Sequence, residues 1–325
     1  MISTLLATPH VAPACTALVT GVDGQDGSYL AEHLVARGYT VVGIGQQAGS
    51  APKLQKMHRL RVDLNDSPAL DALLREYRPS EVYNLAARSS GAGMFDDVVR
   101  IGEVNGLVVA RLLDAIQHVD PAIRFCQASS SELFGDAVAS PQSERTEFRP
   151  RSPYGAAKLY AHTMLRIYRE RYGLFACSAI LFNHESPRRR LEFVTRKVTH
   201  AAASIKLGLA DRLQVGNLEA RRDWGFAGDY MRAMWLMLQH PVAQDYVVAT
   251  GETHSVRELC DIAFGHVGLD YREFVRESSD HARRPEPIAL VGDATRARDV
   301  LHWSPTIDFR GLVISMVDAD LNTLQ

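Results

Sequence analysis

Short apolar runs alternate with longer amphipathic segments along most of the first 180 residues. Predicted strands cover 16–20, 40–44, 59–62, 81–85, 123–128, 175–182 and 246–249, and predicted helices cover 29–37, 68–75, 98–118, 156–171, 196–207, 230–238 and 256–265. Strand and helix in strict alternation favour a parallel sheet with helices on both faces. We therefore expect a doubly wound α/β fold.

The alternation ends after residue 182, where an irregular, arginine-rich stretch begins. Residues 223–252 then return to the helix and strand pattern of the first half. We therefore expect a dinucleotide-binding domain made of 1–182 and 223–252. A smaller C-terminal α/β lobe, made of 183–222 and 253–325, would bind the substrate.

Composition narrows the class of protein. The 325 residues are 46% hydrophobic and 23% charged, which excludes a disordered or fibrous chain. The chain has 36 Lys and Arg and 38 Asp and Glu, which gives a net charge of −2. This charge provides no strong positive field that would attract nucleic acid or an anionic membrane. No run is long enough to span a membrane, and residues 1–14 lack the pattern of a signal peptide.

The cysteines bear on metal binding and on the compartment. Cys15, Cys126, Cys177 and Cys260 are far apart and show no metal-ligand spacing. We expect buried, reduced thiols, no metal site and a cytoplasmic protein.

A glycine-rich turn follows the first strand. Gly21, Gly24 and Gly27 are spaced G-x-x-G-x-x-G, with Gln25 and Asp26 between the last two. Such a turn between a strand and a helix brings backbone N–H groups to a pyrophosphate, and this context predicts a Rossmann-like dinucleotide site. After the second strand the sequence is 45–47 GQQ, which holds neither an acid for a ribose 2′-hydroxyl nor an arginine for a 2′-phosphate. Asp63 and Leu64, after the third strand, are placed to contact the adenine, although Asp63 could instead cap the next helix.

Two later segments carry acid–base chemistry. Tyr154 and Lys158 are four residues apart, so they share one helix face, where the ammonium can stabilise a tyrosinate base. Three serines precede them at 129–131, of which we favour Ser130 as the substrate's hydrogen-bond partner. Glu132 adds a carboxylate that could remove a proton next to a keto group, or could merely cap a helix.

These segments resemble the GDP-mannose 4,6-dehydratase family of extended short-chain dehydrogenase/reductases. The resemblance covers roughly residues 16–305. The runs that carry it are TGVDGQDGSYLAEHL (20–34), YNLAARS (83–89), QASSSELFG (127–135), PRSPYGAAKLY (150–160), ILFNHESPRRR (180–190), FVTRK (193–197), GNLEARRDWGFAGDY (216–230) and GDATRARDVLHWSP (292–305).

The resemblance implies the roles of individual residues. Tyr154, Lys158, Glu132 and Ser130 would be catalytic. Cofactor contacts would come from the glycine turn, Asp63, Leu64, Leu85, Ala86, Tyr154 and Lys158, and substrate contacts from Ser89, Asn183, Val194, Thr195, Lys197, Gly216, Arg222 and Arg284. The basic run 188–190 could hold phosphate or be a solvated face.

The resemblance also implies the cofactor, the partners and the reaction. NADP is implied, and NAD stays open because the segment after the second strand departs from the family. Two long helices, 98–118 and 156–171, imply a homodimer, and a tetramer is less certain. The implied reaction converts GDP-mannose to its 4-keto-6-deoxy form.

Three alternatives remain open. At 88, 90 and 91 the sequence has Arg, Ser and Gly where the family has other or larger residues, so a bulkier GDP-manno-heptose is a second possible substrate. The nearest rival reaction is a GDP-sugar 4-epimerase or 4-keto reductase, against which Glu132 argues, since neither needs a base at C5. A dinucleotide sensor without catalysis is the third, and it would not need Tyr154, Lys158 and Glu132 together.

Overall fold

A computed structural model describes residues 15–45, 54–89, 95, 97–278 and 288–325. Its strands are β1 Thr16–Thr20, β2 Thr40–Ile44, β3 Met57–Leu60, β4 Glu81–Asn84, β5 Arg124–Ala128, β6 Ala176–Leu181, β7 Asn183–Glu185, β8 Leu213–Val215, β9 Arg221–Arg222, β10 Trp224–Phe226, β11 Tyr246–Val248, β12 His254–Ser255 and β13 Val275–Glu277. Its helices are α1 Gln25–Ala36, α2 Ser67–Tyr77, α3 Val98–Gly102, α4 Val108–Val119, α5 Pro153–Tyr172, α6 Val194–Lys206, α7 Ala227–Gln239, α8 Val256–His266, α9 Tyr271–Phe274, α10 Thr295–Leu301 and α11 Phe309–Leu324.

Seven described strands form one parallel sheet in the order β3-β2-β1-β4-β5-β6-β11. The order reverses at β1, and this switch point opens a crevice at the carboxyl ends of β1 and β4. The predicted doubly wound sheet is confirmed. Six of its strands are almost continuously buried, as expected where helices cover both faces, whereas the edge strand β3 is partly exposed.

Two helices differ from the sequence prediction, one in where it begins and the other in being interrupted. α5 begins at Pro153, three residues earlier than predicted, because Ser152 caps it by accepting from Gly155 N and Pro153 needs no donor there. The predicted helix 98–118 is three consecutive segments, since the π-helical turn Glu103–Leu107 separates α3 from α4. Hydrophobic periodicity does not reveal such a turn.

The buried apolar side chains of the described residues form three large clusters. Two lie on the opposite faces of the sheet. The third joins α6, α8 and α11, and in it the Trp224 and Phe309 rings stack with centroids 5.6 Å apart. Ala297 and Leu301 of α10 pack in one of the two sheet clusters. Short strand pairs, β7 with β10 and β9 with β12, connect the segments that leave the sheet.

Three of the four cysteines, Cys126, Cys177 and Cys260, are buried free thiols, whereas Cys15 is an exposed one, contrary to expectation. Within the described ranges, no helix is long and apolar enough to cross a membrane.

Candidate active site

The glycine turn forms a tight cradle at the switch point. Gly21 has a φ of +70° and lies against the backbone of Leu85 and Ala86, where a Cβ would approach Ala86 N to 2.9 Å. A Cβ on Gly27 would lie 2.5 Å from Val22 Cα, so glycine is required for the helix to approach the strand. α1 then begins at Gln25 with no side-chain cap. Its first N–H groups face the turn, and this arrangement fits a pyrophosphate.

A buried ion pair ties this turn to the segment after β6. His184 Nε2 lies 3.0 Å from Asp26 Oδ2, and His184 Nδ1 lies 2.7 Å from Phe182 O. Burial tends to raise the pKa of Asp26, but the charge and hydrogen bond of His184 outweigh it and lower this pKa to about 2. Burial tends to lower the pKa of His184, and Asp26 raises it above its ordinary value. Gln25 joins the same contact by donating to His184 O at 3.1 Å.

A chain of buried side-chain hydrogen bonds crosses the carboxyl ends of three strands. Thr20 Oγ1 donates to Asn84 Oδ1 at 2.5 Å, and Asn84 Nδ2 donates to Gln127 Oε1 at 2.8 Å. Gln127 Nε2 then donates to Ala128 O at 2.6 Å. The N–H groups of Leu85 and Ala86 both donate to Thr20 Oγ1. The chain fixes the floor of the crevice below the predicted cofactor residues.

Ser130, Glu132 and Tyr154 lie together beyond the end of β5. Ser130 Oγ accepts from Glu132 N at 3.2 Å and hydrogen-bonds the Tyr154 side chain. Burial raises the pKa of Tyr154, the Glu132 carboxylate raises it further, and the Ser130 hydrogen bond lowers it. A hydroxyl, a phenol and a carboxylate thus share one small volume. Ser129 Oγ is buried next to them with no hydrogen-bond partner, and Ser131 is buried.

Lys158 lies beneath this group and is only 2% exposed. Its Nζ donates to Ala128 O at 2.7 Å and lies 5.6 Å from the Tyr154 ring centroid. Burial lowers the pKa of Lys158 to about 8, although Asp26 opposes the shift. Lys158 therefore places its side-chain nitrogen close to the Tyr154 ring.

Four of the predicted substrate residues lie on β7 and α6. Asn183 is half-buried at the start of β7, and Val194 is half-buried at the start of α6. Thr195 is buried, and its hydroxyl donates to Glu185 Oε2 at 2.5 Å. Lys197 is exposed and lines an open surface pocket with Leu191 and His200.

The other predicted contacts are more scattered. Ser89, Gly216 and Arg222 are half-buried, and Arg222 donates to Arg221 O at 2.6 Å. Arg284, together with 46–47, 90–91 and 287, falls outside the described residues. Asp63 is exposed and accepts from Asn65 N at 2.9 Å, while Asp66 rather than Asp63 caps α2. Leu64 packs against a sheet cluster.

The basic run 188–190 is not a uniform solvated face. Arg188 is exposed but pairs with Glu32 and covers the Tyr29 ring, Arg189 is half-buried and pairs with Glu185 at 3.2 Å, and Arg190 is exposed. Arg189 is close enough to lower the pKa of Tyr154 after the larger effects of burial, Glu132 and Ser130. Sequence reasoning missed His184 as a site residue and considered Arg189 only as part of the basic run 188–190; the signal for both was the run 183–190 itself.

Comparison with known proteins decides the family. A family model described as GDP-mannose 4,6 dehydratase matches residues 18–316. The chain belongs to the GDP-mannose 4,6-dehydratase family. GDP-mannose 4,6 dehydratase 1 of Arabidopsis thaliana is 46% identical over 96% of this chain and 91% of its own length.

Two solved structures extend the comparison. UDP-glucose 4-epimerase of Thermus thermophilus, in complex with NAD, is 28% identical with a TM-score of 0.81, over 94% of this chain and 98% of that one. RMD of Pseudomonas aeruginosa, complexed with NADPH, is 26% identical with a TM-score of 0.80, over 95% and 98%. This dehydratase-family chain is therefore an enzyme of the nicotinamide-dependent, nucleotide-sugar type.

The described residues fit a nicotinamide dinucleotide. The glycine cradle and uncapped α1 suit its pyrophosphate, and Ser129, whose buried hydroxyl has no partner, directly follows Ala128, the residue whose carbonyl accepts from Lys158. The Asp26–His184 pair ties the first turn of α1, next to this cradle, to the segment after β6.

Proposed function

We propose that this enzyme is a GDP-sugar 4,6-dehydratase that converts GDP-mannose to GDP-4-keto-6-deoxymannose. The observation that carries the proposal is the grouping of Ser130, Glu132 and Tyr154 above Lys158 at the carboxyl end of β5. The group supplies one base for a hydroxyl and a second for a carbon acid. A bound nicotinamide would take a hydride from C4 of the sugar and return it to C6.

The protein's own residues move the protons. Tyr154 removes the 4-hydroxyl proton as C4 is oxidised, while Ser130 holds the same oxygen. The resulting keto group acidifies the C5 hydrogen, which Glu132 removes. Glu132 passes a proton to the departing 6-hydroxyl, so that water leaves, and Tyr154 returns a proton to C5 as the hydride reaches C6. Atoms and electrons balance, and no net oxidant is consumed.

Tyr154 needs a positive charge to act as a base. Burial raises its pKa, and Glu132 adds to the effect, so the protein alone favours the neutral phenol. Lys158 opposes this with a buried ammonium whose pKa is about 8. An oxidised nicotinamide, when bound, would supply a second positive charge to the site. The base is therefore expected to form only when the cofactor is oxidised and the pH leaves Lys158 protonated.

The rival reactions on this fold require fewer groups. A 4-epimerase or a 4-keto reductase needs the Tyr154–Lys158 pair and a hydroxyl, but no base at C5. Glu132 lies close enough to Tyr154 to raise its pKa, which makes Tyr154 a weaker base at neutral pH. We expect a carboxylate in this position only in an enzyme that uses it in the reaction. This contact favours dehydration.

The test is proton NMR of the full chain with GDP-mannose and, in parallel, GDP-manno-heptose, without added cofactor and then with NAD or NADP. Dehydration of the hexose predicts a new C6 methyl doublet. An inverted C4 centre with C6 still carrying oxygen would replace this proposal with epimerisation. Turnover of the heptose in preference to mannose would assign the bulkier sugar, whereas turnover of GDP-mannose alone would reject it.

The assembly and location belong to the same proposal. Val98, Val99, Leu107, Tyr160, Ile167 and Tyr172 are exposed apolar side chains, all on the α3–α4 and α5 helices. Such a patch supports a homodimer that packs these helices together, with a tetramer as a further possibility. The buried free cysteines support a reducing compartment, the cytoplasm.

A further inference from the structure

A carboxylate from the glycine turn, that of Asp23, lies at the end of β2. In doubly wound folds the adenosine ribose lies beside the carboxyl end of the second strand, where an acid from that strand binds the 2′-hydroxyl. Here Gly45 follows β2 and has no side chain. A Cβ built on Gly45 would lie 2.6 Å from Asp23 Cγ and closer still to Oδ2. Asp23, from the glycine turn, thus occupies the space of a side chain at position 45.

Arg59 holds the Asp23 carboxylate in this position. Arg59 lies on β3, directly opposite Gly43 of β2, and its guanidinium forms an ion pair with Asp23 Oδ1. The pair is largely shielded, with the two side chains 28% and 16% exposed. Gly45 N also donates to Leu60 O at 3.1 Å, which keeps the two strand ends in register. The carboxylate is therefore fixed by the sheet.

We propose that Asp23 is the ribose-binding carboxylate and that it selects NAD over NADP, with Arg59 as its positioning residue. The inference rests on the proposed function only in taking a nicotinamide dinucleotide as the ligand. A carboxylate at this place accepts hydrogen bonds from the ribose 2′- and 3′-hydroxyls. The same carboxylate repels a 2′-phosphate. Arg59, the nearby cation, is already paired with Asp23 and is therefore not available to bind that phosphate.

Binding of the two cofactors tests the proposal without any sugar. The nucleotide released by denaturing the purified full chain is identified by mass spectrometry, and dissociation constants for NAD and NADP are measured by calorimetry on the stripped chain. We expect NAD to copurify and to bind about 10- to 100-fold more tightly than NADP. Tighter binding of NADP by the wild-type chain would overturn the proposal. Neither result depends on turnover, so a failed dehydratase assay would remain a separate finding.

Variants separate the two residues. Asp23→Asn should weaken NAD by about tenfold or more and tighten NADP, because Arg59 then faces the 2′-phosphate. The double variant Asp23→Asn/Arg59→Met should lose NAD affinity without gaining NADP affinity. Asp63→Asn is the matched control, since a contact to adenine changes both affinities alike. An equal change for both cofactors in Asp23→Asn would also overturn the proposal, provided that thermal unfolding shows the variant folded.

Discussion

His184 Nε2 contacts Asp26 Oδ2 at 3.0 Å and thereby connects the segment after β6 with the first turn of α1. The pair lies next to the glycine turn. It also fixes the first turn of the helix whose N-terminus faces the cofactor cradle. Removing either partner therefore has consequences for stability as well as for binding.

Asp26→Asn should lower the free energy of unfolding of the stripped chain by about 2 kcal/mol near pH 6, from the shift in the pKa of Asp26 from 3.8 to about 2. A lowered carboxyl pKa contributes stability that is complete above the unfolded value and is lost as the pH falls through the folded value. The difference between wild type and variant should therefore shrink between about pH 4 and pH 2. Urea unfolding at several pH values measures it.

Asp261→Asn, on an exposed carboxylate of α8, is the control and should change stability by no more than about 0.5 kcal/mol. A difference for Asp26→Asn that does not vary with pH would contradict the assigned pKa.

Lys158→Met should abolish activity while raising the free energy of unfolding by about 1 kcal/mol at pH 7. Burial lowers the pKa of Lys158 from 10.5 to about 8, so the folded chain disfavours the ammonium, at a cost of about 3 kcal/mol. Methionine removes this cost, but it also removes the hydrogen bond to Ala128 O, which contributes about 2 kcal/mol to folding. Because the unfolded chain holds more protons over this interval, wild-type stability should also rise from about pH 8 to pH 10.

Urea unfolding and turnover are measured together for Lys158→Met and for Lys206→Met, an exposed lysine that should leave both unchanged. Loss of stability in Lys158→Met would show that the ammonium contributes more to folding than its lowered pKa implies.

Glu132→Gln should block dehydration while leaving C4 oxidation in place. The amide keeps the shape of the side chain but cannot remove the C5 proton, so about 10²- to 10⁴-fold in turnover should be lost. The reduced cofactor should accumulate, visible in its absorbance, and solvent deuterium should no longer enter C5. Tyr154→Phe is the comparison and should lose both steps. Wild-type turnover by Glu132→Gln would remove Glu132 from the mechanism.

Val99→Glu should convert a dimer to a monomer in sedimentation velocity. Val99 is 74% exposed on α3, within the apolar patch shared by α3–α4 and α5, and a buried unpaired carboxylate would oppose association. Val242→Glu, at a valine 53% exposed beyond α7, is the control and should leave the assembly unchanged. A Val99→Glu protein that sediments as the wild type would place the interface elsewhere.

The sequence predicted the sheet and the catalytic group because both depend on local pattern. Strand and helix periodicity defines β1 and β2 to the residue, and the four-residue spacing places Tyr154 and Lys158 on one face. The sequence did not predict contacts between distant segments. Asp23 meeting Arg59 joins residues 36 positions apart, and His184 meeting Asp26 joins residues 158 apart. Neither contact could be predicted from the sequence, because a single carboxylate or imidazole is not part of a periodic pattern that would identify its partner.

The hydrogen-bond chain from Thr20 to Ala128 O has a direction. Each side chain donates towards β5, from Thr20 to Asn84, from Asn84 to Gln127 and from Gln127 to the Ala128 carbonyl. The dipoles are thus aligned, with their positive end at the Ala128 carbonyl, which also accepts from Lys158 Nζ. The cofactor floor and the catalytic lysine therefore share one acceptor, and a change at Thr20, two strands away, would alter how strongly that acceptor holds the buried ammonium.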